Sequence, residues 1–254
     1  MSEKVNSMNL KKKDLFDKNG WVVFEDLLSE DEKTKLNKIV DDKINKIAAG
    51  EEIEFAKIEK TSDKKKSMAT DVRSFNNLSK TDKEFGELIN SNRITDIASM
   101  LLGSEAKLLA DILFNKPGFN GAEKPWHQDI NGLGNKVISC WIALDDATVS
   151  NGCLKFIQGS HKWDELEHID DIFGTKATLP SLAKEISKKN KVTINFDIDQ
   201  ADDDQLKEFI EEYATAQEIK AGSCIFHHHN MLHSSSKNFS PNRRRAYSIF
   251  YVGQ

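Results

Sequence analysis

Residues 137–157 read VISCWIALDDATVSNGCLKFI. Two short apolar runs, Val137 to Leu144 and Cys153 to Ile157, flank a polar connection whose Asn151-Gly152 pair signals a turn. The same texture extends outward. Lys107 to Phe114 is mostly apolar and stops at Lys116-Pro117-Gly118, while Ser223 to His228 and Ala246 to Val252 supply two more runs near the C-terminus. Several short strands separated by turns argue for a β-sandwich or barrel. The front of the chain is helical instead. Residues 9–19 form a short helix ending at Gly20, and Trp21 to Glu25 is strand-like. Ser29 opens a longer helix with Glu32 three positions on, a capping-box signature. Leu36, Ile39, Val40, Ile44 and Ile47 then recur at helical spacing, with Gly50 as the stop. Residues 82–103 read as two short helices ending at Gly103. The expected architecture is mainly β with supporting helices: a double-stranded β-helix, or jelly roll.

The 254 residues are expected to form a single domain, with 164–220 as a surface insertion or a lid. That stretch is mixed in charge, carries the acidic run Asp197 to Asp204, and reads as helical from Gln205 to Thr215. The lysine-rich residues 57–67 read as a solvated loop. A net charge of −5 leaves no basic footprint for nucleic acid or an anionic membrane. No apolar run approaches the roughly 18 residues of a membrane span. Met1 to Lys13 lacks the apolar core of a secretory signal. The cysteines are Cys140, Cys153 and Cys224, an odd count in apolar runs, which argues for a reducing cytoplasm over a disulfide framework.

The chemistry concentrates in two segments. The first is Pro125-Trp126-His127-Gln128-Asp129. Residues two apart on a strand share a face, so His127 and Asp129 can reach one ion. His233 would complete the two-histidine, one-carboxylate set that holds ferrous iron in oxygenases and leaves three positions open for a 2-oxo acid and dioxygen. Fe(II), one carboxylate and 2-oxoglutarate leave one negative charge, which calls for a bidentate arginine. Arg244, eleven residues after His233, is placed for that role. If the last strand alternates, Arg244, Ala246 and Ser248 line one side, and Arg243, Arg245 and Tyr247 the other. Arg243 and Arg245 could help bind an anion, but read more readily as a solvated basic turn. His227, His228 and His229 offer competing imidazoles; His233 is preferred for its compact path to Arg244. An HxD pair alone is weak, and its weight comes from order, strand context and arginine spacing together. Ile130, Asn131, Phe119, Trp163 and Phe226 are candidates for a substrate wall, although each alone reads as packing.

At this point the chain resembles the phytanoyl-CoA dioxygenase family of Fe(II)/2-oxoglutarate oxygenases. NGWVVFEDLLSEDE (19–32) resembles the family's first strand and helix, and PWHQD (125–129) its iron-binding segment. CWIALDDATVSNGCLKFIQGSHKW (140–163) and KAGSCIFHHHNMLHSSSKNFSPNRRRAY (220–247) are similar to its most recognisable stretches. The resemblance implies a cupin-like jelly roll in which His127, Asp129 and His233 bind Fe(II) and Arg244 binds the distal carboxylate of 2-oxoglutarate. It implies that Trp141 and Ser235 help hold that co-substrate; without it they read as a core aromatic and a turn residue. Asn151, Gly152, Gly159, Ser160 and His161 read as scaffold. Halogenating relatives carry a small residue where Asp129 stands, so hydroxylation with O2, releasing succinate and CO2, is implied. No extended basic site for a coenzyme A thioester is evident. A small polar metabolite is expected: an amino acid, compatible solute or aminophosphonate. Two other classes compete, a non-catalytic metal-binding jelly roll and a zinc hydrolase. Succinate release excludes the first, and metal dependence separates the second.

Overall fold

Ser29 starts the main helix as its sequence dictates. Its hydroxyl accepts from the Glu32 amide at 3.3 Å, and the Glu32 carboxylate accepts from the Ser29 amide at 2.9 Å. In the computed structural model, which describes residues 3–58, 72–129, 136–171 and 174–254, the first half runs α1 (Glu3–Asn19), β1 (Trp21–Phe24), α2 (Glu30–Ala48), β2 (Ala56–Ile58), β3 (Val72–Asn76), α3 (Leu78–Thr81), α4 (Lys83–Ile89), α5 (Asn92–Leu102) and β4 (Ala106–Lys116). There follow β5 (Lys124–His127), β6 (Val137–Ala143), β7 (Leu154–Ile157), the hairpin β8 (His168–Asp171) and β9 (Gly174–Ala177), α6 (Leu179–Asn190), α7 (Asp203–Glu212), β10 (Ala214–Gln217), β11 (Cys224–His228), β12 (His233–Ser235) and β13 (Arg244–Gly253). Most of the lysine-rich stretch 57–67, from residue 59 onward, lies outside the described residues, as do Ile130 and Asn131.

Two antiparallel sheets face each other. The larger has the order β1-β11-β6-β13-β4-β3-β2 and the smaller β10-β7-β12-β5. This is the expected jelly roll. Its central strands look continuously apolar in sequence because both faces are covered. On β6, Ile138, Cys140 and Ile142 pack under the helices, while Trp141 and Ala143 face the smaller sheet. On β13, Tyr247, Ile249 and Tyr251 join the helix side and Ala246 the inner side, so the expected alternation of the last strand holds. Trp21 and Phe156 stack across the inter-sheet core with centroids 4.8 Å apart.

The helical layer is fastened by charge as well as by apolar packing. Arg245 donates to Asp41 of α2 at 2.7 Å and to Asn115 of β4 at 3.2 Å, and Arg243 donates to Asp41 at 2.9 Å. Arg245 is buried, so the reading of these two arginines as a solvated turn is corrected: they tie α2 to the sheet. Within 164–220, α6 and α7 bury Leu182, Ile186, Leu206 and Ile210 against Trp126, Ile157 and Leu232, on the outer face of the smaller sheet. Ala214 to Gln217 pairs with β7 as a strand of that sheet. Trp163 belongs to this outer cluster and Phe226 to the helix-side core, so neither lines a cavity wall. Among the described residues, no helix is long and apolar enough to cross a membrane.

Phe226 is fully buried. Phe226→Ala is expected to cost about 3–5 kcal/mol, as for other large aromatic truncations in packed cores. Chemical denaturation checks this; a loss below about 1 kcal/mol would mean that Phe226 borders space rather than core.

Candidate active site

The site begins with one cross-strand pair. β12 runs antiparallel to β5 with His233 directly opposite His127, and their ring centroids lie 4.1 Å apart. Each imidazole is oriented through its own backbone neighbourhood. His127 Nδ1–H donates to the Pro125 carbonyl at 2.8 Å, and His233 Nδ1–H to the Met231 carbonyl at 2.9 Å. That fixes the tautomer and leaves both Nε2 lone pairs for a ligand.

Asp129 lies two residues past His127, but β5 ends at His127. The carboxylate is therefore aimed by an anchor rather than by strand alternation: the Asp129 amide donates to the His229 carbonyl at 2.8 Å. Its oxygens lie 3.5 Å from His127 Nε2 and 3.9 Å from His233 Nε2, and Ser139 Oγ donates to it at 3.5 Å. The ligand atoms of His127, Asp129 and His233 all fall within 4.8 Å of one another, a triangle that can hold one ion at bonds of about 2.1 Å. Burial alone would push the Asp129 carboxyl up, but the imidazoles of His233, His127 and His227 outweigh it and hold the group well below the usual carboxylate range. Burial first, then His127, pushes His233 well down. A neutral imidazole beside an ionised carboxylate is the protonation pattern a cation needs.

The histidine run divides its roles. His227 is buried facing the same cavity, with its ring centroid 4.7 Å from that of His233. His228 accepts the Asn230 amide at 3.1 Å, and His229 donates to the Val137 carbonyl at 3.0 Å. Gln128, between the two candidate ligands, was not singled out by sequence. It donates to Asn230 Oδ1 at 2.8 Å and accepts from the Leu166 amide at 2.9 Å, welding the two ligand-bearing segments together.

At the other end of the cavity, Arg244 opens β13 opposite Lys116. Its guanidinium is buried, donates through Nη2 to the Gly152 carbonyl at 3.0 Å, and lies 5.3 Å from the Trp141 ring centroid. Its Nε is buried with no partner, and burial pushes the group down to about 10. Ser235 is buried on the same cavity wall. Lys116, also missed in sequence, donates to the Ser235 and Ser236 carbonyls at 3.1 and 2.5 Å and is pushed well down by burial and then by Arg244. Gly152 has φ +86°, and a Cβ there would lie 2.4 Å from the Ser236 carbonyl oxygen, so the backbone that holds Arg244 tolerates no side chain.

One cavity of about 900 Å³ joins His127, Asp129 and His233 to Arg244, Trp141 and Ser235. The expected wall residue Phe119 does not line it; it stands 71% exposed on the loop beside Ser240.

Residues 16–246 match the phytanoyl-CoA dioxygenase (PhyH) family. A phytanoyl-CoA dioxygenase of Arabidopsis thaliana is 28% identical over 270 residues, covering 94% of this chain and 87% of that protein. An ectoine dioxygenase of Sphingopyxis alaskensis is 28% identical over 238 residues, covering 89% and 70%. The crystal structure of EctD from S. alaskensis with 2-oxoglutarate and 5-hydroxyectoine superposes with a TM-score of 0.68 at 24% identity, over 96% of this chain and 75% of that one. That likeness concerns the fold.

The buried histidines set an expectation for the metal-free protein. His161, His227, His229 and His233 are all held below the usual histidine value by burial. Below about pH 6.5 the unfolded chain therefore binds more protons than the folded one, and stability falls as pH falls. Thermal unfolding in chelator should show Tm dropping between pH 7 and 5, with a shallower slope in His233→Gln; an identical slope would remove His233 from this account.

Proposed function

Because the chain belongs to the phytanoyl-CoA dioxygenase family, we propose that it uses Fe(II), 2-oxoglutarate and O2 to hydroxylate a C–H bond of a small polar metabolite, releasing succinate and CO2. The observation that carries this reading is one cavity holding an ionised carboxylate between two oriented imidazoles at one end and a buried guanidinium with an unpartnered Nε at the other. A buried guanidinium whose Nε has no acceptor is costly on its own. A dicarboxylate reaching from the triad would supply the missing acceptor.

In this reading His127, Asp129 and His233 would hold the iron, which supplies dioxygen activation coupled to decarboxylation of the 2-oxo acid. The remaining work belongs to the chain. The Gly152 carbonyl holds one N–H of Arg244 so that the rest of the fork faces the cavity. The Trp141 ring limits its swing, and the Ser235 hydroxyl offers a further donor for the distal carboxylate. The His229 carbonyl and Ser139 hydroxyl anchor Asp129, whose carboxylate would occupy a coordination position itself, and this favours hydroxylation over halogenation. The ectoine dioxygenases among its relatives support a small metabolite as substrate.

Anaerobic addition of Fe(II) and 2-oxoglutarate to metal-free protein should produce the visible metal-to-ligand charge-transfer band. Asp129→Ala should lose the band and coupled turnover. Arg244→Leu should keep the triad but weaken 2-oxoglutarate binding roughly 100-fold, the worth of a lost charge-assisted pair. A folded wild-type protein without the band would overturn the reading, and unchanged 2-oxoglutarate affinity in Arg244→Leu would remove Arg244 from its role.

A further inference from the structure

The cavity wall has a sign. Besides Arg244, its wall carries Lys57 on β2, Arg73 on β3, Lys116 on β4 and Lys124 on β5, against two carboxylates, Glu123 and Asp129, among the described residues. Iron, Asp129, 2-oxoglutarate and Arg244 together balance to zero. Among the described lining residues, what remains is the basic groups Lys57, Arg73, Lys116 and Lys124 against Glu123, with Asp171 acting on Lys124 from outside the lining. They come from both sheets and sense one another: Lys57 lowers Lys124, and Arg73 lowers Lys116, in each case behind the larger effect of burial. These groups also keep contacts within the protein. Lys124 donates to the Thr175 carbonyl at 3.4 Å and is held up in part by Asp129 and Asp171, Lys116 is engaged by two carbonyls, and Arg73 has a protein partner. It is the sign of the wall, not a vacancy in it, that selects. Ile58, Ile112, Phe114 and Phe250 add apolar surface to the same cavity wall.

Building on the oxygenase reading, we propose that the substrate is an acid: a compact molecule with an apolar body against Ile112 and Phe250 and a carboxylate or phosphoryl group bound by Lys57, Arg73 and Lys124 at the cavity mouth. Guanidinium and ammonium groups converging from two sheets provide charge-assisted donors to such a group from opposite sides. The anion would relieve the mutual repulsion of Lys57 and Lys124. A cationic metabolite would meet that repulsion increased, and a neutral one would leave it in place.

The test uses metal-free protein, so it does not depend on turnover. Hexanoate, hexyl phosphate, hexanol and hexylamine are titrated by calorimetry into the wild type and into Lys57→Glu, Arg73→Gln, Lys124→Gln and Arg244→Leu. Lys57 is exposed, so its variant is a safe fold control. The expected result is binding of the two anions in preference to the alcohol and amine, weakened about tenfold by each mouth substitution and little by Arg244→Leu. The tighter of hexanoate and hexyl phosphate identifies the head group. Equal binding of all four probes overturns the proposal. So does anion binding lost in Arg244→Leu but kept in the mouth variants, because the probe then sits at the co-substrate end. Anion preference that persists in a protein lacking the charge-transfer band supports the acid site while removing the oxygenase reading; the band without anion preference does the reverse.

Discussion

The pairing of β12 with β5 is the constraint on which the site depends. It sets His233 against His127 across the smaller sheet, with their ring centroids 4.1 Å apart. Everything else is arranged around that register. β7 lies on the other side of β12, carrying Phe156 opposite His233 and Leu154 opposite Ser235. Ser139 and His227 sit directly opposite each other on the larger sheet, bringing a hydroxyl to Asp129 and an imidazole beside His233. A slip of one residue in β12 would turn His233 to the outer face, among Trp126, Ile157 and the helices.

Low dielectric does the electrostatic work in two opposite ways. Around the triad, burial lowers His233 and His227, while the imidazoles of His233, His127 and His227 together outweigh burial at Asp129 and hold it ionised. Around Arg244, burial raises the cost of a cation whose Nε has no acceptor. One end of the cavity is prepared for positive charge and the other for negative, about as a chelated dicarboxylate requires. The helices α6 and α7 take no part in this, because they cover the outer face of the smaller sheet, whereas Thr175 of the β8–β9 hairpin does line the cavity.

Much of this was legible in sequence, and the failures have physical causes. The capping box at Ser29, the strand runs 137–144 and 223–228, and the alternation of β13 follow from local chemistry, and the structure agrees with them. Asp129 was placed by strand alternation, yet the strand stops at His127 and a backbone bond from a remote loop does the aiming. Lys116 looked like a strand terminus because nothing local shows that the Ser235 and Ser236 carbonyls lie over it. Arg245 looked solvated because its partner Asp41 lies on a helix far back in the chain. Ala214 to Gln217 carries too little apolar character to stand out as a strand from its surroundings, and is one because β7 offers it an edge. Each miss is a long-range contact made by a residue whose local signal is polar or weak.

The position of Lys57 has a consequence for solubility. Among the described residues, β2 is the outermost strand of the larger sheet, so one row of its backbone donors and acceptors has no described neighbour in that sheet. An ammonium on such a strand keeps a second chain from adding its own strand there, a common guard against edge-to-edge aggregation. On the proposed acid-binding role of Lys57, recognition at the cavity mouth and colloidal behaviour would rest on the same side chain. A variant trimmed of charge there to accept a different ligand would also carry a barer sheet edge, and would need a compensating charge elsewhere on β2 to stay monodisperse.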